Sequence, residues 1–174
     1  VPVLYGAKPA QPLLGKLEAE LGFVLPTDYK DFLKKWNGIF IGGADYLDFD
    51  FPGVDNGMIS FASLFGIGAS NENFDLIEQN ERVRGEVDFL NDFFVIGDDP
   101  SGNYYALARL DNVEKVLYWD RTHLHADDTA KPDIAEVSEC GNLYNVADGF
   151  SAFLNMIVAG TKQMQFVAVD DWPG

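Results

Sequence analysis

The residues that could do chemistry by type and spacing fall in a few short stretches of this 174-residue chain. His123 and His125 stand two apart, so an extended backbone would put both rings on one face, with Asp127 and Asp128 following closely. A metal centre needs three or four convergent ligands, and only this local group offers them. The polar composition around it fits histidines on a surface loop better, so no metal is expected. The stretch DDPSGN, from Asp98 to Asn103, superficially resembles a calcium loop. Such a loop needs oxygen ligands at alternate positions, Gly at its sixth and Glu at its twelfth, and Pro100 and Ser101 interrupt that pattern, so a turn is expected. Gly66 and Gly68 lack the third glycine and the Lys-Ser/Thr of a phosphate-binding loop. Cys140 follows Glu139 and has no basic neighbour in sequence to activate it, and no serine sits in a nucleophile-elbow pattern. No cofactor and no catalytic residue are expected, and the chain reads as something other than an enzyme.

Charge is the stronger signal. Acidic residues number 28 against 12 basic ones, a formal charge of −16. Such a field repels phosphate backbones, so direct nucleic-acid binding is disfavoured, and it attracts basic proteins. The plain alternative is that the charge only keeps a soluble domain apart from its neighbours. Carboxylates beside exposed aromatics would instead form hot spots for a basic protein. Asp45, Tyr46, Asp48 and Asp50 in one loop, Asp98 and Asp99 beside Tyr104 and Tyr105 in another, and Asp127 and Asp128 in a third are the candidates.

These loops need a scaffold. The length suits one domain with a substantial core, and the 14 phenylalanines can fill it without disulfide or metal. No run approaches the ~20 apolar residues of a membrane span, and the N-terminal stretch lacks signal-peptide character, so a cytoplasmic protein is expected. Apolar runs Phe93–Gly97, Tyr104–Leu110 and Lys115–Trp119, separated by turn-forming residues, predict a three-stranded antiparallel meander. One of its faces is expected to meet helices and the other to stay partly wet. Leu13, Leu17 and Leu21 predict a short helix, and Tyr29, Phe32, Leu33 and Trp36 predict a second, with Pro26 in its first turn and Asn37-Gly38 as its left-handed stop. An irregular hairpin is expected from Phe40–Phe51 and Met58–Phe61, a helix over about 73–84, a short strand before residue 146, and a helix over 146–159. Residues 1–12 read as a surface arm and 161–174 as a tail, leaving a core of about 13–160.

Three blocks then fit together: LGFVLPTDYKDFLKKWNG, IGDDPSGNYYAL followed by VLYWD, and ADGFSAFLNMI. Their order and spacing resemble the SUKH superfamily (SMI/KNR-like domains), which contains fungal cell-wall-synthesis regulators and many bacterial immunity proteins. The resemblance implies a single α+β domain, a curved and mostly antiparallel sheet packed against several helices. For bacterial members it implies a non-catalytic protein that binds and neutralises a cognate toxin, often a nuclease; the fungal branch implies an intracellular adaptor or regulator. Leu25, Pro26, Tyr29, Phe32, Trp36, Asn37, Gly38, Gly97, Asp98 and Gly102 match positions that carry the fold. The stretches Phe40–Gly57 and Asp120–Cys140 fit the family pattern least, and partner choice is expected there.

Overall fold

The computed structural model describes residues 2–6, 13–42, 46–162 and 164–170. Strand β1 (Pro2–Gly6) is followed by helices α1 (Leu14–Leu21) and α2 (Thr27–Lys35). Strands β2 (Ile39–Ile41), β3 (Leu47–Asp50), β4 (Met58–Phe61) and β5 (Ser63–Leu64) come next, then a 3-10 turn (Glu72–Phe74) and α3 (Leu76–Arg82). The second half holds β6 (Phe93–Asp98), β7 (Tyr104–Leu110), β8 (Val113–Asp120), β9 (Asn142–Ala147), α4 (Phe150–Gly160) and β10 (Gln165–Val169). The main sheet has eight strands in the order β10-β1-β2-β5-β6-β7-β8-β9, and β3 pairs with β4 in a small sheet of its own. Among the described residues, β1–β10 is the only parallel strand pair. This is a mostly antiparallel α+β fold with β6–β7–β8 as the predicted meander.

The expectation of a partly wet meander face holds only at the ends of β7, where Tyr104 and Leu110 are half-buried, while the centre of the strand is covered on both faces. Tyr105, Ala106, Leu107 and Ala108 are all fully buried. On the Tyr105 side, the ring of Phe153 from α4 lies 4.8 Å away and that of Phe61 from β4 lies 5.8 Å away. Phe94, opposite Leu107, meets Tyr29 of α2 at 5.7 Å, and Tyr29 meets Phe150 of α4 at 4.7 Å. On the other side Tyr104 packs on Trp119 at 5.7 Å and donates its hydroxyl to Gln79 of α3. Asn80 of α3 bonds both the N–H and the C=O of Val95, supplying ladder partners at β6 where the two-residue β5 does not reach.

Several boundaries differ from the sequence reading. The expected N-terminal arm contributes β1, whose Val3 is fully buried, and the expected tail contributes β10. Their pairing joins the two ends of the chain, which no local pattern announces. Residues 1, 7–12, 163 and 171–174 of that arm and tail lie outside the described residues. The first arm of the expected hairpin divides: β2 joins the main sheet and β3 pairs with β4. The expected 73–84 helix is a 3-10 turn followed by α3, which starts at Leu76 because Asp75 caps it by accepting from the N–H groups of Ile77 and Glu78. Helix α4 begins at Phe150, not at residue 146, since Ala147 still pairs with Val116 and Gly149 turns the chain at φ 90°.

The motif residues sit in the frame. Leu25, Tyr29 and Phe32 are buried. Pro26 is the N-cap of α2 and not within its first turn, and Trp36 is its C-cap. Asn37 and Gly38 follow with φ of 42° and 102°, the left-handed stop. Asn37 also does something the sequence did not announce: its side-chain amide donates to Ile67 O at 3.0 Å and accepts from Ile67 N at 2.8 Å, pinning a loop 30 residues away. At Gly97 a Cβ would fall 2.2 Å from Ser63 O, so only glycine lets β6 lie against β5. Gly102, at φ 88°, supplies the turn between β6 and β7. Asn37→Ala should leave both Ile67 groups unpaired in a buried site and cost roughly 2–5 kcal/mol in urea unfolding, with the same dependence on denaturant as the parent.

Candidate protein-binding surface

The carboxylates singled out in the sequence have divergent fates. Asp99 is a correction: it is buried and unavailable to a partner, because its oxygens accept from the N–H groups of Ser101 and Asn103, the Asn103 amide and the Tyr118 hydroxyl at 2.7–3.1 Å. Asp98, half-buried, accepts from the Ser63 hydroxyl at 2.5 Å. Burial lifts its carboxyl from 3.8 to about 7, with repulsion from Asp99 adding to the rise and the Ser63 bond opposing it. Tyr105 beside them is buried and Tyr104 half-buried. The β6–β7 turn is therefore scaffold more than binding loop.

The β3–β4 hairpin is different. Period-two alternation buries Leu47 and Phe49 against the core and turns Tyr46, Asp48 and Asp50 outward. Asp48 faces Ser60 across the pair, accepting its hydroxyl at 2.8 Å, and Asp50 faces Met58. Tyr46 is 48% exposed and Met58 45%. Two apolar side chains thus share one outer face with two carboxylates. Asp45 lies outside the described residues. Met58 was missed by the sequence reading, although the cross-strand pairing of a YLDFD run with MISF could have found it.

The β3–β4 loop and the stretch after β8 are joined to each other. Asp55, in the β3–β4 loop, accepts from Thr129 N at 2.6 Å, Thr129 Oγ1 at 2.9 Å and Ala130 N at 2.7 Å. In return the Asp55 N–H donates to Asp128 at 2.8 Å. These bonds hold the Asp55 carboxyl below its ordinary value of 3.8, the Thr129 N–H contributing most. Asp128 also accepts from Nδ1 of the buried His125 at 3.0 Å, and the fully buried Asp120 takes the N–H groups of Leu124 and His125. Asp127 stays exposed. His123 points elsewhere, to Glu136 at 2.7 Å, and that bond raises its pKa. The histidines are thus split between two roles, and among the described residues no group of three or more His, Cys, Asp or Glu side chains could hold a metal ion.

The resulting surface, residues 46–60 with 122–131, contains five carboxylates and a single basic residue, Lys131, whose charge acts on Asp55. The chain's four arginines are engaged elsewhere: Arg82 with Glu72, Arg84 with Glu81, Arg109 with Asp92 and Arg121 with Glu86. The arginine charges are met where they stand, and on the hairpin side Lys131 offsets one of the five carboxylates, which leaves a net negative field.

Two pH effects follow. A carboxyl raised in the folded state binds its proton more tightly there than in the unfolded chain, so its contribution to stability falls as pH rises from about 4 to about 7. Asp98→Asn should flatten the stability profile in that window, read by urea unfolding at successive pH values. The Asp55 carboxyl is lowered, so its stabilisation is present above about pH 4 and is lost only as pH falls below that. Amide hydrogen exchange at Thr129 and Ala130 should therefore stay protected down to about pH 4 and speed up about tenfold in Asp55→Ala at neutral pH, the global stability changing little.

The model of the SMI1 / KNR4 family (SUKH-1) matches residues 12–156, well over half of the chain. Among curated proteins no match is found. The matched stretch runs from the start of α1 into α4 and takes in the buried motif residues of α2 and the turn glycines of the meander. By this match and this fold, the chain belongs to the SMI1 / KNR4 family (SUKH-1).

Proposed function

We propose that this protein is a non-catalytic immunity protein that binds and neutralises a cognate secreted or contact-dependent toxin, its partner being a basic, nuclease-type domain. The observation that carries this reading is the joined surface of residues 46–60 and 122–131, five carboxylates against the single Lys131, with Tyr46 and Met58 exposed on its hairpin. A nuclease needs a basic groove to hold phosphate. An acidic surface is steered into such a groove and competes with the nucleic acid there. Family membership supports a partner-binding domain of the immunity or the SMI1/KNR4 kind. No helix among the described residues is long and apolar enough to cross a membrane, and the toxin would be met in the cytoplasm. The same membership supports a second reading, an intracellular adaptor or regulator resembling the fungal branch.

Co-expression with the product of the neighbouring gene separates the two. Rescue of growth from a lethal neighbour, with a stable complex on purification, is the expected result; a harmless neighbour that does not bind would move the adaptor reading ahead. In the complex, replacing Asp48, Asp50 and Asp127 together by Asn should lower the association rate about tenfold at low salt and flatten its salt dependence. An association rate independent of both salt and these residues would remove the acidic surface from the mechanism.

A further inference from the structure

The hairpin that carries the acidic surface also has an open side. The register fixes which backbone groups point there. Phe51 N donates to Gly57 O at 2.8 Å, so the facing pairs Phe49–Ile59 and Leu47–Phe61 exchange the ladder bonds between β3 and β4. The alternate groups of β4 turn away from β3, as shown by Ser60 O accepting the Tyr105 hydroxyl at 2.6 Å and Ala62 N donating to Asp98 O at 2.9 Å. By the same alternation the N–H and C=O of Asp48 and Asp50 point away from β4. Among the described residues β3 has no second neighbour.

This edge is firmly backed. Phe49 and Leu47 are buried beneath it, Phe49 lying 6.1 Å from Phe153 of α4 and Leu47 against Gly160. Its two outward residues, Asp48 and Asp50, are both exposed and both acidic. Charge on an edge strand ordinarily prevents unwanted pairing. Here the sign selects. A second copy laid antiparallel on β3 and centred on Phe49 would set Asp48 against Asp50 of the other chain, and like charges directly opposite are destabilising. A helix would leave the outward amides unused. An extended segment with Lys or Arg at alternate positions meets both the carboxylates and the amides. By contrast the other open edge, β10, has no charged residue between Gln165 and Val169, and β9 is covered by Ile134 and Asp133.

We infer that the free edge of β3 takes an extended basic segment of the partner as a third strand of the β3–β4 sheet, with Asp48 and Asp50 reading alternate Lys or Arg side chains. The inference rests on the partner-binding reading given above and specifies how the partner is held.

The test is an NMR titration of the full chain with three synthetic probes: an eight-residue peptide alternating Lys and Val, the same peptide N-methylated at every second amide, and an Ala-rich helical peptide of equal charge. The expected result is binding of the first, with shifts and exchange protection at the Asp48 and Asp50 amides, and a loss of about tenfold or more with either control. Asp48→Asn with Asp50→Asn should weaken the first probe to a similar degree and leave the fold intact. Equal binding of all three peptides overturns strand pairing while leaving the acidic surface as a charge-steered site. Shifts confined to Gln165–Val169, no binding of the first probe, or self-association through β3 in sedimentation would each overturn the inference. Since growth rescue in co-expression is scored separately, loss of the immunity reading and loss of the edge are distinguishable.

Discussion

The centre of strand β7 is dry on both faces, and most of the architecture follows from that. Tyr105 and Leu107 need a layer of apolar cover on one side and Ala106 and Ala108 need another, so a sheet that could have been half-solvated is sandwiched. Helices α2 and α4 with the β3–β4 hairpin form one layer, and α3 with the segment at Cys140, whose carbonyl accepts from the Trp119 indole, forms part of the other. Each aromatic ring that enters brings about 150–250 Å² of surface out of water, which makes ring clusters an efficient filling for two layers. Such cover also removes water from backbone groups at the ends of short strands. Asn37, Asn80 and Asp75 replace it, each bonding main-chain groups that no strand reaches.

The same requirement sorts the acidic residues. A carboxylate close to several unpaired N–H groups is drawn inward, because a buried charge survives only with full hydrogen bonding. Asp99 and Asp120 answer that description at the end of the meander, and their charge is spent on holding turns. The carboxylates on the hairpin's strand β3, Asp48 and Asp50, have no such donors apart from the Ser60 hydroxyl beside Asp48, and remain facing solvent. Which acids can meet a partner is thus decided by the backbone beside them.

Legibility in the sequence followed the range of the interactions. The meander and α2 were readable because turn residues and apolar spacing act within a few positions, and the family resemblance added fold through residues that are indeed buried, such as Tyr29 and Phe32. Strands β1 and β10 were not readable, since their pairing joins opposite ends of the chain. In the site, DDPSGN was recognised as a turn, yet the cost of that turn to Asp99 went unread: the residue that starts such a turn commonly turns its own carboxylate onto the following N–H groups. Asp48 and Asp50 were singled out for charge, and the period-two alternation of YLDFD is what sends them outward. The bond between Asp55 and Thr129 spans 74 residues and leaves no local trace.

That bond has a consequence for exchange between relatives. Because Asp55 secures the Thr129 segment and Asp128 secures the Asp55 backbone, each loop is the other's template. A chimaera that imports only one of them receives a segment shaped for a counterpart it has lost. The two loops, distant in sequence, therefore form one structural unit, and recombination that keeps the shape of either must carry both.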